Sequence, residues 1–130
     1  MKVDKKNVLF VDDEPINLKI YELTFRGDFN VFVAVSGEEA LEVLKNNENM
    51  DVIVTDQLMP EMDGVGLLKE IGEKYPHINL GKLIVSGFSE NEDIEKAFEN
   101  YDLSEFISKP WTKETIVEAI YESINKLETR

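Results

Sequence analysis

Five short apolar runs, rich in β-branched residues, punctuate the chain: Asn7–Val11, Val31–Val35, Val52–Thr55, Lys82–Val85 and Glu105–Ile107. In VLFV, VFVAV, VIV and LIV the apolar residues are consecutive rather than alternating. Strands buried on both faces, as in a parallel sheet, read this way. The fifth run is short and more polar, which suits a sheet edge.

Helical spacing fills the gaps. Pro15 sits at a helix start, with Ile16, Ile20 and Leu23 on one face. Ser36 caps a second helix holding Ala40, Leu41 and Leu44, and Asp63 a third holding Leu67, Leu68 and Ile71. Ile94, Ala97, Phe98 and Tyr101 give the i, i+3, i+4, i+7 row of a fourth. Thr112 opens a fifth, with Ile116, Ile120, Ile124 and Leu127 facing inward. Glu114 and Glu118 lie near its positive end, a favourable arrangement. Strand and helix thus alternate five times. Parallel strands need crossover connections, and helices supply them right-handedly. The pattern predicts an α/β fold: one doubly wound, five-stranded parallel sheet with helices on both faces, in a single domain over residues 1–130.

In such sheets ligands bind beyond the carboxyl ends of the strands. The first run is followed there by Asp12, Asp13 and Glu14, the third by Asp56, the fourth by Ser86 and Gly87, and the fifth by Ser108, Lys109 and Pro110. Taken singly, these are ordinary turn, cap and surface residues. Together they bring three carboxylates, a hydroxyl and an ammonium to one rim. Crowded carboxylates repel unless a cation joins them. Magnesium suits the set, because it accepts few protein carboxylates and takes further ligands from water and phosphate. Asp56 is then a candidate nucleophile for a phosphoryl group. The metal and Lys109 would offset charge on the transferring oxygens, and Ser86 would donate a hydrogen bond to one of them.

Charge sharpens this picture. Fourteen basic residues against 27 acidic ones leave a net charge of −13. A surface that anionic repels phosphate backbones and anionic lipid, so direct nucleic-acid binding is not expected. No apolar run approaches the ~20 residues of a spanning helix, and the apolar stretch after the basic start Met1–Lys6 breaks at Asp12-Asp13-Glu14, too short for a signal peptide. With no cysteine in the chain, a reducing compartment fits, and a cytoplasmic location is expected. The single histidine, His77, falls in an exposed loop and can build neither a nucleophile nor a zinc site.

VLFVDDEP at 8–15, VTDQLMPEMDG at 54–64, VSG at 85–87 and ISKPW at 107–111 resemble the receiver domain of two-component response regulators. The likeness runs from about Asn7 to Lys126. It implies the flavodoxin-like strand order 2-1-3-4-5 and Mg2+, or Mn2+, as cofactor. It implies Asp13 as a direct metal ligand, Asp12 as holder of metal-bound water, and Asp56 as phosphoacceptor and metal ligand. The main-chain carbonyl of Leu58 would complete the protein ligands. Lys109 would pair with Asp56 or its phosphoryl group, before a cis bond to Pro110. Ser86 would be the switch hydroxyl and Phe106 the switch aromatic. Gln57, Leu58 and Phe88 occupy positions that influence dephosphorylation. The implied partners are a sensor histidine kinase and an output domain or effector, met through the fourth helix, fifth strand and fifth helix. A phosphorylation-linked dimer is also open.

Two other classes share this kind of sheet. A phosphatase with a nucleophilic aspartate usually places it after the first strand in an Asp-x-Asp pattern, whereas Asp12-Asp13 is contiguous. A nucleotide binder needs a phosphate-cradling loop after the first strand, where this chain has Asp12-Asp13-Glu14-Pro15. A degenerate receiver lacks the acceptor aspartate or the lysine, and both residue types stand at those positions here.

Overall fold

The computed structural model describes residues 4–87 and 91–129; Phe88 and Arg130 lie outside the described residues, as does the start of the basic Met1–Lys6 segment. Among the described residues, strands β1 (Asn7–Val11), β2 (Asn30–Ala34), β3 (Val52–Asp56), β4 (Gly81–Ser86) and β5 (Glu105–Ser108) alternate with five helices. These are α1 (Pro15–Phe25), α2 (Gly37–Asn46), α3 (Gly64–Lys74), α4 (Glu92–Asn100) and α5 (Lys113–Glu128). All pairings are parallel, in the order β2-β1-β3-β4-β5.

Consecutive apolar residues in the central strands serve two cores at once. Leu9, Val11, Ile53 and Ile84 face α2, α3 and α4, whereas Val8, Phe10, Val52, Val54, Leu83 and Val85 face α1 and α5. The cap expectations hold. Ser36 accepts from the Glu39 N–H, Asp63 from that of Gly66, and Thr112 from that of Thr115. Asn91 caps α4 in the same way, accepting from the Ile94 N–H.

Helix α1 corrects the sequence reading. Ile16, Ile20 and Leu23 are 64, 44 and 51% exposed, and the buried row is Leu18, Tyr21 and Phe25. Both rows have helical spacing. Aromatic packing decides between them: Phe10 stacks on Tyr21 and Phe25 at 4.6 and 5.3 Å, and Trp111 stacks on Tyr21 at 5.3 Å. In α4, Phe98 is likewise outside the core at 39% exposure, while Ile94 and Ala97 are buried. In α5, Leu127 is only half-buried. Strand β2 ends at Ala34 rather than Val35, whose N–H turns to the Glu39 carboxylate of the next helix instead of to β1. Among the described residues no helix is long and apolar enough to cross a membrane.

Candidate functional site

The register of the central strands fixes the rim. Val11 lies opposite Thr55 and Asp56 opposite Val85, so the residues just past β1 and the last residue of β3 end side by side. Asp12, Asp13 and Asp56 each bring a carboxylate oxygen within 4.8 Å of the others. Lys109 follows β5, where Ser86 and Ser108 pair, and its N–H donates to the Ser86 carbonyl. Its ammonium reaches back to Asp56, with Nζ–Oδ1 at 3.1 Å. The Lys109–Pro110 bond that follows is cis.

The three carboxylates differ in environment. Asp12 is 1% and Asp56 8% exposed, while Asp13 is open to solvent. Asp12 is anchored on α1: its Oδ1 accepts from the Glu14 N–H (2.9 Å) and its Oδ2 from Asn17 Nδ2 (3.2 Å). Burial pushes the Asp56 carboxyl above its ordinary value. The hydrogen bond and charge of Lys109 pull it back, and Asp12 and Asp13 push it up further. Desolvation outweighs the one ammonium, so a charged Asp56 is undercompensated by the protein's own groups. A hard divalent cation, with oxygen ligands, is the species that this donor set fits. Asp12, Asp13 and Asp56 are the residues that could hold it.

Ser86 is buried, at 4% exposure, at the end of β4. Phe106 pairs in register with Ile84, two residues earlier on that strand, and packs half-buried on the α2–α4 core. It is not among the carboxylates. Leu58, 57% exposed, lies on the loop between β3 and α3. His77 is exposed and pairs with Glu48 at 3.1 Å, away from the site.

Sequence reasoning assigned no place at the rim to three residues that stand there. Tyr21 is buried against the site. Its phenol is held well above its usual range by burial, then by Asp12 and Asp56, with a hydrogen bond from Trp111 opposing. Trp111, Tyr21 and Asn17 border a cleft of about 430 Å3 with Asp12, Ile20 and Lys109. Tyr21 stands three residues after buried Leu18 and four before buried Phe25, a row the sequence does contain.

Gly64 opens α3 directly under the site. A Cβ there would come within 2.7 Å of the Asp56 carbonyl oxygen and 2.8 Å of Gln57 Oε1. The first is main chain and cannot swing aside. Gly64→Ala is therefore expected to cost about 1–3 kcal/mol, seen as a lower urea midpoint at unchanged m-value. An unchanged midpoint would show that the close approach is not built into the fold.

The family model described as the response regulator receiver domain matches residues 8–121. The chain is 35% identical over 121 residues to the two-component response regulator ARR22 of Arabidopsis thaliana, covering 89% of this chain and 83% of that protein. It is 30% identical over 124 residues to the hydrogenase transcriptional regulatory protein HoxA of Cupriavidus necator, covering 95% of this chain. There it spans about a quarter of the relative's length, 25%. A response regulator receiver domain protein from Clostridium thermocellum superposes with a TM-score of 0.80 at 27% identity, covering 95% of this chain and 98% of that one.

Proposed function

The chain belongs to the response regulator receiver domain family of two-component systems, and on that premise we propose that Asp56 accepts a phosphoryl group with the help of a magnesium ion. One observation carries the reading. Three carboxylates converge within 4.8 Å at one rim, with a lysine ammonium 3.1 Å from one of them.

Asp12, Asp13 and Asp56, with the main-chain carbonyl of Leu58, are the proposed holders of the ion. When bound, Mg2+ (or Mn2+) supplies positive charge for the phosphoryl oxygens and for the crowded carboxylates. The chain's own residues do the rest. An Asp56 carboxylate oxygen attacks phosphorus in line, and the bond from phosphorus to the donor's leaving oxygen or nitrogen breaks. The electron pair stays with the leaving group, which takes its proton from solvent. The product is an aspartyl phosphate. Lys109, already on Asp56, donates to a phosphoryl oxygen. Asp12, fixed by Glu14 and Asn17, orients water at the rim. The proposed donors are a sensor histidine kinase or a small acyl phosphate.

Ser86 and Phe106 are the proposed switch pair. The phosphoryl group adds roughly two negative charges and strong acceptor oxygens. The Ser86 hydroxyl moves toward it, and Phe106 fills the space it leaves. The surface of α4, β5 and α5 then changes, and an output domain or effector reads it; a phosphorylation-linked dimer would use the same surface. This is a population shift, and it demands different phosphate contacts in the two states. Phe106→Ala is expected to label at the wild-type rate yet lose the phosphorylation-dependent change at that surface, measured by amide hydrogen exchange over α4–β5–α5. The same exchange change in wild type and variant would remove Phe106 from the switch. The domain is proposed as a phosphoacceptor of the cytoplasm rather than a turnover enzyme.

Incubation with acetyl phosphate and Mg2+, followed by peptide mapping, tests the central claim. Label is expected on Asp56 and only with the metal present; label on another residue would overturn it.

A further inference from the structure

Gln57 follows the phosphoacceptor directly, and its side chain is committed to the start of α3. The first three N–H groups of that helix are all accepted by two residues. The Gln57 carbonyl takes that of Gly64 (3.0 Å), Gln57 Oε1 that of Val65 (2.9 Å) and Asp63 Oδ1 that of Gly66 (2.8 Å). Gln57 Nε2 in turn donates to Asp63 Oδ2 at 3.3 Å. The loop from 58 to 63 therefore leaves Gln57 and returns to it, closed at its base by a ring of four hydrogen bonds. Gln57 is only 7% exposed, so these bonds form largely out of water, where losing a partner is costly.

That loop has no strand pairing to fix it. It turns sharply inside the ring: Glu61 has a positive φ of 69°, and the Met62 N–H donates to the Pro60 carbonyl at 2.7 Å. The ring also presses on the peptide of the phosphoacceptor, because Gly64 approaches the Asp56 carbonyl too closely for any side chain. Both residues that flank Gln57, Asp56 before it and Leu58 after it, are thus set by one latch.

We infer that Gln57 is a positioning residue for the metal site: the ring it closes fixes where residues 56 and 58 present their oxygens to a divalent cation. The inference rests on the metal reading given above, of Asp12, Asp13 and Asp56 with the Leu58 carbonyl. It assigns Gln57 a role through the loop, not contact with the phosphoryl group.

Titration of the 130-residue chain with Mg2+, followed by the fluorescence of Trp111, tests it without any phosphodonor. Trp111 is the only tryptophan and borders the cleft with Asp12 and Lys109. Gln57→Leu keeps most of the volume and removes both side-chain bonds. Losing a group that orients ligands typically costs 10–100-fold in metal affinity, so the dissociation constant is expected to rise about tenfold. Asp63→Asn keeps the cap on Gly66 but turns a donor toward Gln57 Nε2, and a smaller rise is expected. Should Gln57→Leu fail to fold, Asp63→Asn decides. Wild-type affinity in every folded variant, alongside lost binding in Asp13→Asn, overturns the latch and leaves the metal site standing. No Mg2+ response in the wild type itself would instead refute the metal reading, and the latch with it.

Discussion

Asp56→Asn is expected to abolish labelling by acetyl phosphate and, in EDTA, to raise the melting temperature of the protein. The first effect is loss of the nucleophile: an amide oxygen does not form the acyl phosphate. The second follows from burial. The folded-state value of Asp56 is raised, first by desolvation and then by Asp12 and Asp13, against the pull of Lys109. Between the ordinary value of 3.8 and the raised one, the folded chain binds more protons than the unfolded chain. Stability therefore falls as pH rises through that window, and the penalty stays in full above it. Asparagine carries no such penalty. Its advantage should be present at neutral pH and vanish below the ordinary carboxylate range. Adding Mg2+ should narrow the gap, because a ligand at a hundred times its dissociation constant stabilises the wild type by about 2.7 kcal/mol. Thermal melts of both proteins across pH, with EDTA and with Mg2+, check the sign. A less stable Asp56→Asn protein in EDTA at neutral pH would mean that Lys109 compensates the charge after all.

The rim was legible because its residues sit at strand ends, and strand ends are what consecutive apolar runs mark best. Val8–Val11 is buried on both faces, so Asp12 had to be the first residue past the sheet. The same logic put Asp56 after Val52–Thr55, with only its inclusion in β3 differing. Face assignment was less legible. Helix α1 carries two apolar rows, and nothing local separates Ile16, Ile20 and Leu23 from Leu18, Tyr21 and Phe25. The choice is made by Phe10 on a strand and Trp111 beyond β5, both distant in sequence. Buried polar partners were least legible. That Gln57 would turn onto Val65 and Asp63 depends on how closely α3 approaches β3, which Gly64 permits but does not announce. Lys82, 7% exposed at the beginning of β4 with Asp102 at 4.0 Å, is of the same kind: its run read simply as a strand.

Of the three carboxylates proposed to hold the ion, the exposed one should matter most. Asp12 has both carboxylate oxygens engaged, by Glu14 and Asn17. Asp13 has no hydrogen-bond or ion-pair partner among the described residues and faces solvent. It is the carboxylate free to meet a cation arriving with its waters, which suits an ion that dehydrates reluctantly. Asp13→Asn removes that charge and leaves the supports of Asp12 and Asp56 in place. Outer groups that merely orient ligands cost 10–100-fold when lost, and a charged ligand should cost at least the upper figure. The Mg2+ dissociation constant is therefore expected to rise on the order of 100-fold, about 2.7 kcal/mol. Because Asp13 contributes to the raised value of Asp56, the same change should stabilise the protein in EDTA. The two effects have opposite signs, so general damage to the fold cannot mimic them. Fluorescence titration gives the first and a melt in EDTA the second. Wild-type Mg2+ affinity in Asp13→Asn would place the ion, if it binds, away from this rim.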